Sequence, residues 1–220
     1  FQRAFLAVTA STLGESIGGE FDVRLPLTDV AQWLRPTMDS FPAHNGYIQA
    51  DSELTNHLRK RYQRSNNRPL VGISWHSGGG IGTAPFKSIP LEHWSPILEI
   101  PNINFVSLQY GDCEEELRTI KKNGGCQITL DAEINTSSDM DAFAAQVAAM
   151  DLVISVSNTT VHFAGAMGKP VWAMVPKGPG AHWYWFQDSV DSVWYPSLRI
   201  FRQTERGEWD QPIREISSQL

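Results

Sequence analysis

The chain has 220 residues, enough to bury a real core and to form either one full domain with a fragment or two small domains. With 41% apolar and 19% charged residues it has the composition of an ordinary globular protein. Lys and Arg number 18 against 24 Asp and Glu, a net charge of −6, and no basic run offsets it locally, so a general attraction to nucleic acid or to an anionic membrane is excluded.

The sequence starts at Phe1, without an initiator Met and in mid-pattern, and reads as a piece of a longer polypeptide. "FDVRLPLTDVAQWL" (21–34) has a strand-like start. "LRPTMDSFPAHNGYIQAD" (34–51) is punctuated by proline like a connector, and "SELTNHLRKRYQRSNNRP" (52–69) suits a charged surface helix leading into a polar turn. "LVGISW" (70–75) is a continuous apolar run that breaks on "HSGGGIG", a strand followed by a glycine loop. "LEHWSPILEI" (91–100) predicts a helix broken near Pro96, and "NFVSLQY" (104–110) the second strand. In "CEEELRTIKKNGG" (113–125) acids come first, bases last and glycine after, the charge order that suits a helix dipole and its stop. "CQITL" (126–130) predicts a third strand, and "DMDAFAAQVAAM" (139–150) a helix with Phe143, Val147 and Met150 on one face. "DLVISV" (151–156), "SNTTVHFAGAMG" (157–168) and "KPVWAMV" (169–175) then give strand, helix and strand.

Alternating strands and helices, with strands apolar on both faces, predict an α/β domain with a Rossmann-like parallel sheet. Cys113 and Cys126 are too few for a disulfide framework and have no companions at metal-ligand spacing. A reduced, cytoplasmic setting fits them. No apolar stretch reaches membrane-spanning length and no signal peptide is visible.

Ligands of such sheets bind beyond the carboxyl ends of the strands. Two polar loops leave those ends, "WHSGGGIG" and "SNTT". Thr159 and Thr160 fall where a helix begins, and their amides and hydroxyls, turned outward at its positive pole, would hold a phosphate. The plainer alternative is an N-cap formed by Asn158 and Thr159. Ala164, Gly165 and Ala166 would let this helix pack close to the sheet. Gly78, Gly79 and Gly80 with Gly82 allow close backbone approach to a ligand, or form a simple surface turn; they match neither GxGxxG nor a P-loop. Lys87 offers a cation to a diphosphate, and His76 and His162 lie where they would touch ligand, although each of these residue types is more commonly solvated or structural. The aromatic stretch "HWYWFQDSVDSVWYP" (182–196) would stack on a base or sugar, or pack in a core.

The segments "VGISWHSGG", "FKSIPLEHWSPIL", "NFVSLQYG", "MDLVISVSNTTVHFAGAMGKPVWAMVP" and "DSVWYPSLRIFRQ" cover most of residues 70–203. Together they resemble the C-terminal domain of tetratricopeptide-linked glycosyltransferase-like proteins. These are similar to heptosyltransferases (glycosyltransferase family 9) and more distantly to O-GlcNAc transferases. The resemblance implies the C-terminal half of a GT-B fold, in which residues 67–220 bind a nucleotide sugar and residues 1–66 are a remnant of the N-terminal domain plus connector. It implies donor contacts from Ser74, His76, Gly78 and Gly79 in the first loop, from Gln109 and Tyr110 near the base, and from Asn158, Thr159 and Thr160 at the diphosphate. Lys87 and His162 match the basic residue and the histidine of the motifs and take the catalytic roles. The implied reaction is metal-independent transfer from a nucleoside-diphosphate sugar to an unknown saccharide or protein acceptor, with no cofactor. Two features depart from the pattern. Ser157 stands where heptosyltransferase-like sequences have Asp, although some linked relatives also read "SN", and no tetratricopeptide repeat is present. No general base stands out, and in the family it often belongs to the N-terminal domain. A non-catalytic nucleotide-binding or interaction module is the alternative; an epimerase on this architecture would want cleft carboxylates that are not seen.

Overall fold

The computed structural model describes residues 3–9, 18–19, 21–63, 66–78 and 82–220. Helices α1 (Leu27–Leu34) and α2 (Ser52–Gln63) precede strand β1 (Leu70–Ser74). Then follow α3 (Ala84–Lys87), α4 (Ser95–Leu98), β2 (Asn104–Ser107), α5 (Glu114–Lys122), β3 (Ile128–Thr129), α6 (Met140–Ala148) and β4 (Leu152–Val156). The chain ends with α7 (Thr159–Ala166), β5 (Val171–Val175), β6 (Leu198–Arg202) and α8 (Asp210–Gln219). The strands form one parallel sheet in the order β3-β2-β1-β4-β5-β6, the doubly wound order of Rossmann domains.

The apolar runs are explained by burial on both faces. Along β5, Val171, Ala173 and Val175 join the core under α2, α6 and α7, while Met174 joins the opposite core under α4, α5 and α8. Leu58 and Tyr62 of α2 pack into the first of these cores, so that helix is more than a solvated surface element.

Three local expectations change. No strand forms over 21–26; Pro26 instead leads into α1, its fixed φ of −59° suiting a helix start. Pro96 does not break a helix: a 3₁₀ turn, Leu91–Trp94, runs into α4, and the proline sits in its first turn, where no amide is required. Gly165 meets the ring of Tyr195 rather than the sheet, since a Cβ there would fall 2.5 Å from Tyr195 Cγ.

Residues ahead of α2 dock on the far end of α7. The amides of Tyr47 and Ile48 both donate to the Ala166 carbonyl, at 2.7 and 3.0 Å. Gly168, at φ 69°, lies against this segment so closely that a Cβ would fall 2.1 Å from the Asn45 carbonyl oxygen, and only glycine fits.

Candidate functional site

Strand order reverses between β1 and β4, and the loops after these two strands meet at that switch point. There Ser74, Gln109 and Asn158, 0%, 4% and 7% exposed, share a hydrogen-bond network. Gln109 Oε1 accepts from Ser74 Oγ at 3.0 Å and from the Trp75 and His76 amides at 2.9 and 2.8 Å. Gln109 Nε2 donates to the Tyr110 carbonyl at 3.0 Å. Asn158 Nδ2 donates to Ser74 Oγ at 2.7 Å and to the His76 carbonyl at 2.9 Å, and Ser155 Oγ donates to Asn158 Oδ1 at 3.1 Å. Ser77 Oγ adds a bond to the Ser157 carbonyl at 3.0 Å. Three residues assigned to donor contact thus spend their polar groups fixing the two loops against each other. They build the edge on which a ligand would rest.

The start of α7 divides between the two readings offered for it. Asn158 Oδ1 accepts from the Thr160 amide at 2.9 Å, an N-cap. The Thr160 hydroxyl is completely buried and has no partner among the described residues, so Thr160 does not turn outward as expected. Thr159 does: it is exposed, and its amide has no acceptor among the described residues. The helix pole is therefore capped on one amide and open on another.

Lys87 is 5% exposed and has no carboxylate within ion-pair distance among the described residues. Burial lowers its pKa. Gly180, on the loop after β5, lies against its stem: a Cβ there would fall 2.8 Å from Lys87 Cγ. His182, two residues on, is held below the ordinary histidine range by burial and by the Lys87 charge. Its ring stacks on Tyr184 with centroids 5.0 Å apart.

His162, three residues into α7 from Thr159, sits in an aromatic cage. Its Nδ1 lies 3.1 Å from the Tyr195 hydroxyl and its Nε2 3.3 Å from the Tyr184 hydroxyl, and the ring stacks on Trp185 at 5.5 Å. Burial, helped by His182, lowers its pKa to about 4, so the imidazole is neutral near pH 7. Burial also raises the Tyr184 and Tyr195 phenols, which stay protonated. The cage was not read from the sequence; its members lie 22 to 33 residues from His162, and only their aromatic density was visible.

Other expected contacts point elsewhere. The His76 ring bonds Glu116, 2.9 Å from Nε2 to Oε1, and the Trp75 indole donates to the same carboxylate at 3.1 Å. The Gly78 amide is bonded to the Tyr110 hydroxyl, which joins two assigned residues to each other. Gly79 lies outside the described residues, as does Gly80. Cys113 and Cys126 are both free, with thiol pKa values raised by burial. Among the described residues no group of three or more His, Cys, Asp or Glu could hold a metal ion, and no helix is long and apolar enough to cross a membrane. A cavity of about 490 Å³ lined by Arg68, Asn104, Gly125 and Thr129 opens at the amino edge, away from the switch point.

No protein-family profile matches the chain. It is similar to protein FlbA of Caulobacter vibrioides, 34% identical over 200 residues, which cover 91% of this chain and 33% of FlbA. The chain therefore spans about a third of the length of that relative. Among solved structures it is similar to ADP-heptose LPS heptosyltransferase II of E. coli, with a TM-score of 0.53 and 17% identity over 84% of this chain and 54% of that one. The likeness is one of fold. A glycosyltransferase family 9 protein of Veillonella parvula is also similar, with a TM-score of 0.49 and 14% identity over 80% of this chain and 47% of that one. The fold is glycosyltransferase-like: an α/β domain on a six-stranded parallel sheet of the heptosyltransferase kind.

Proposed function

We propose that this chain is the donor-binding half of a glycosyltransferase and holds a nucleoside-diphosphate sugar at the carboxyl edge of its sheet. One observation carries the reading: at the start of α7, at the switch point of a doubly wound sheet, exposed Thr159 has an amide without an acceptor among the described residues, and buried Lys87 has no acidic partner among them. Both supply what an anion wants and what this fold uses to bind one. The fold it shares with a heptosyltransferase, and the motif resemblance, point the same way. The finer kinship, to tetratricopeptide-linked proteins, belongs to this proposal as well.

As the glycosidic bond breaks, negative charge collects on the leaving diphosphate. The Thr159 amide, the helix pole and Lys87 stabilise that charge without reorganising, a contribution of about 10²–10³ in rate for a single well-placed donor. His162, being neutral and hydrogen-bonded on both nitrogens, adds no charge; it positions Tyr184 and Tyr195. The acceptor's proton goes to a base outside this set. Calorimetry with UDP, GDP and ADP tests the reading: one of them binds saturably, and Lys87→Ala weakens it at least about tenfold, the loss of one charge-assisted contact. Absence of binding by all three overturns it.

The second reading, a non-catalytic module, is favoured by Ser157. Where a carboxylate would meet sugar hydroxyls, its Oγ instead accepts from the Trp185 indole at 2.8 Å. Nucleotide binding without any transfer or donor hydrolysis by the full-length protein would support it.

A further inference from the structure

A second opening lies at the same sheet edge, beyond the ends of β5 and β6. Lys177, Gly178, Asp188, Arg202, Gln203 and Thr204 line a cavity of about 460 Å³, within the usual range of about 300–1,000 Å³ for small-molecule sites. Gln203 is 3% exposed. Its Oε1 accepts from the Lys177 amide at 3.0 Å and the Gly207 amide at 3.3 Å, which fixes the orientation of the group. Nε2 is left buried, with no acceptor among the described residues. A buried amide donor held without a partner is a desolvation penalty that folding leaves standing, and a ligand oxygen removes it.

The charges around it favour an anionic oxygen. Arg202 Nη2 donates to the Trp185 and Phe186 carbonyls, 2.9 Å each, which pins the guanidinium fork without neutralising it. Lys177 Nζ donates to the Thr204 carbonyl and lies 3.7 Å from Glu205, an exposed pair that solvent screens. Asp188, exposed, is the one carboxylate among the described residues lining the cavity, and its charge acts on Arg202. Two cations and one uncommitted donor line the cavity against one carboxylate, Asp188, with the exposed Glu205 outside that lining.

We propose that this cavity binds the oxyanion of a charged sugar, a carboxylate or a phosphate, with Gln203 Nε2, Arg202 and Lys177 as donors. The anion chemistry stands on the cavity alone; that a sugar carries it rests on the donor-site reading. Titration of the ¹⁵N-labelled chain with glucuronate, glucose 6-phosphate and glucose tests it. The Gln203 side-chain amide and the Lys177, Gly178 and Thr204 backbone amides shift saturably with one or both charged sugars and not with glucose. Glucuronate alone identifies a carboxylate site and glucose 6-phosphate alone a phosphate site. Lys177→Glu, on a half-exposed side chain, and Gln203→Glu, which keeps the Oε1 acceptor, each weaken binding at least about tenfold, as expected for losing a charge-assisted contact. Equal shifts with glucose, no shift with any probe, or affinities unchanged in Lys177→Glu overturn the proposal. Nucleotide calorimetry on the unaltered chain reports separately, so a silent cavity beside a bound nucleotide sinks the oxyanion site and leaves the donor site standing.

Discussion

Gln109 and Gln203 hold comparable places, each just past the carboxyl end of a strand and each 4% exposed or less. Gln109 uses both ends of its amide, accepting three protons on Oε1 and donating from Nε2. Among the described residues Gln203 uses only Oε1. The first is part of the scaffold, and the second has a donor left over. A buried polar side chain at a strand end becomes a binding candidate when its hydrogen bonds are incomplete, and burial or residue type alone says little.

The largest test of that contrast is Gln109→Leu. It strands the Ser74 hydroxyl and two backbone amides in a dry interior, and unfolding in urea should show a loss of roughly 4 kcal/mol. A loss below about 1 kcal/mol would mean the network is not structural. Next comes His162, saturated by two tyrosines. Its folded pKa is about 4 against 6.5 when unfolded, so between those values the unfolded chain binds the extra proton. Its contribution is complete above pH 6.5 and declines as pH falls toward 4. Between pH 7 and 4.5 the parent should lose about 2 kcal/mol more than His162→Gln, read from paired urea curves. Asn158→Ala removes the α7 cap and three further bonds and should cost about 2 kcal/mol, with a loss less than additive beside Gln109→Leu because Ser74 is shared. Gln203→Met is the smallest. It frees two amides but also removes an unpaired donor, and its thermal unfolding should show a change of about 1 kcal/mol or less.

The same contrast separates what could be read from the sequence from what could not. β1, β2, β4 and β5 were legible because continuous apolar runs signal burial on both faces, and α5 and α6 because charge order and helical spacing are local properties. The last strand of the sheet, β6, was not named as an element: Arg199 and Arg202 interrupt its apolar pattern, and its outer side is covered by residues 190–192, where the Ile200 amide donates to the Val190 carbonyl and the Ser192 amide to the Leu198 carbonyl. The switch point was legible from strand ends followed by polar loops. Which polar atoms there stay free was not, since Asn158 is paired with Ser74 across 84 residues and His162 with Tyr195 across 33. A residue type can be read locally, but its remaining valence depends on partners brought by the fold.

The clasp at the tail of α7 has a mechanical consequence. Tyr47 and Ile48 hang from the carbonyl of Ala166, so tension on the preceding segment is delivered along the helix axis toward Thr159. We expect residues 41–48 to act as a tether through which whatever grips them alters the stiffness of the opposite tip. Hydrogen exchange at the Thr160 amide, the one capped by Asn158, compared between the parent and a chain shortened to begin at residue 49, reads it directly. Identical protection in both would cut the tether.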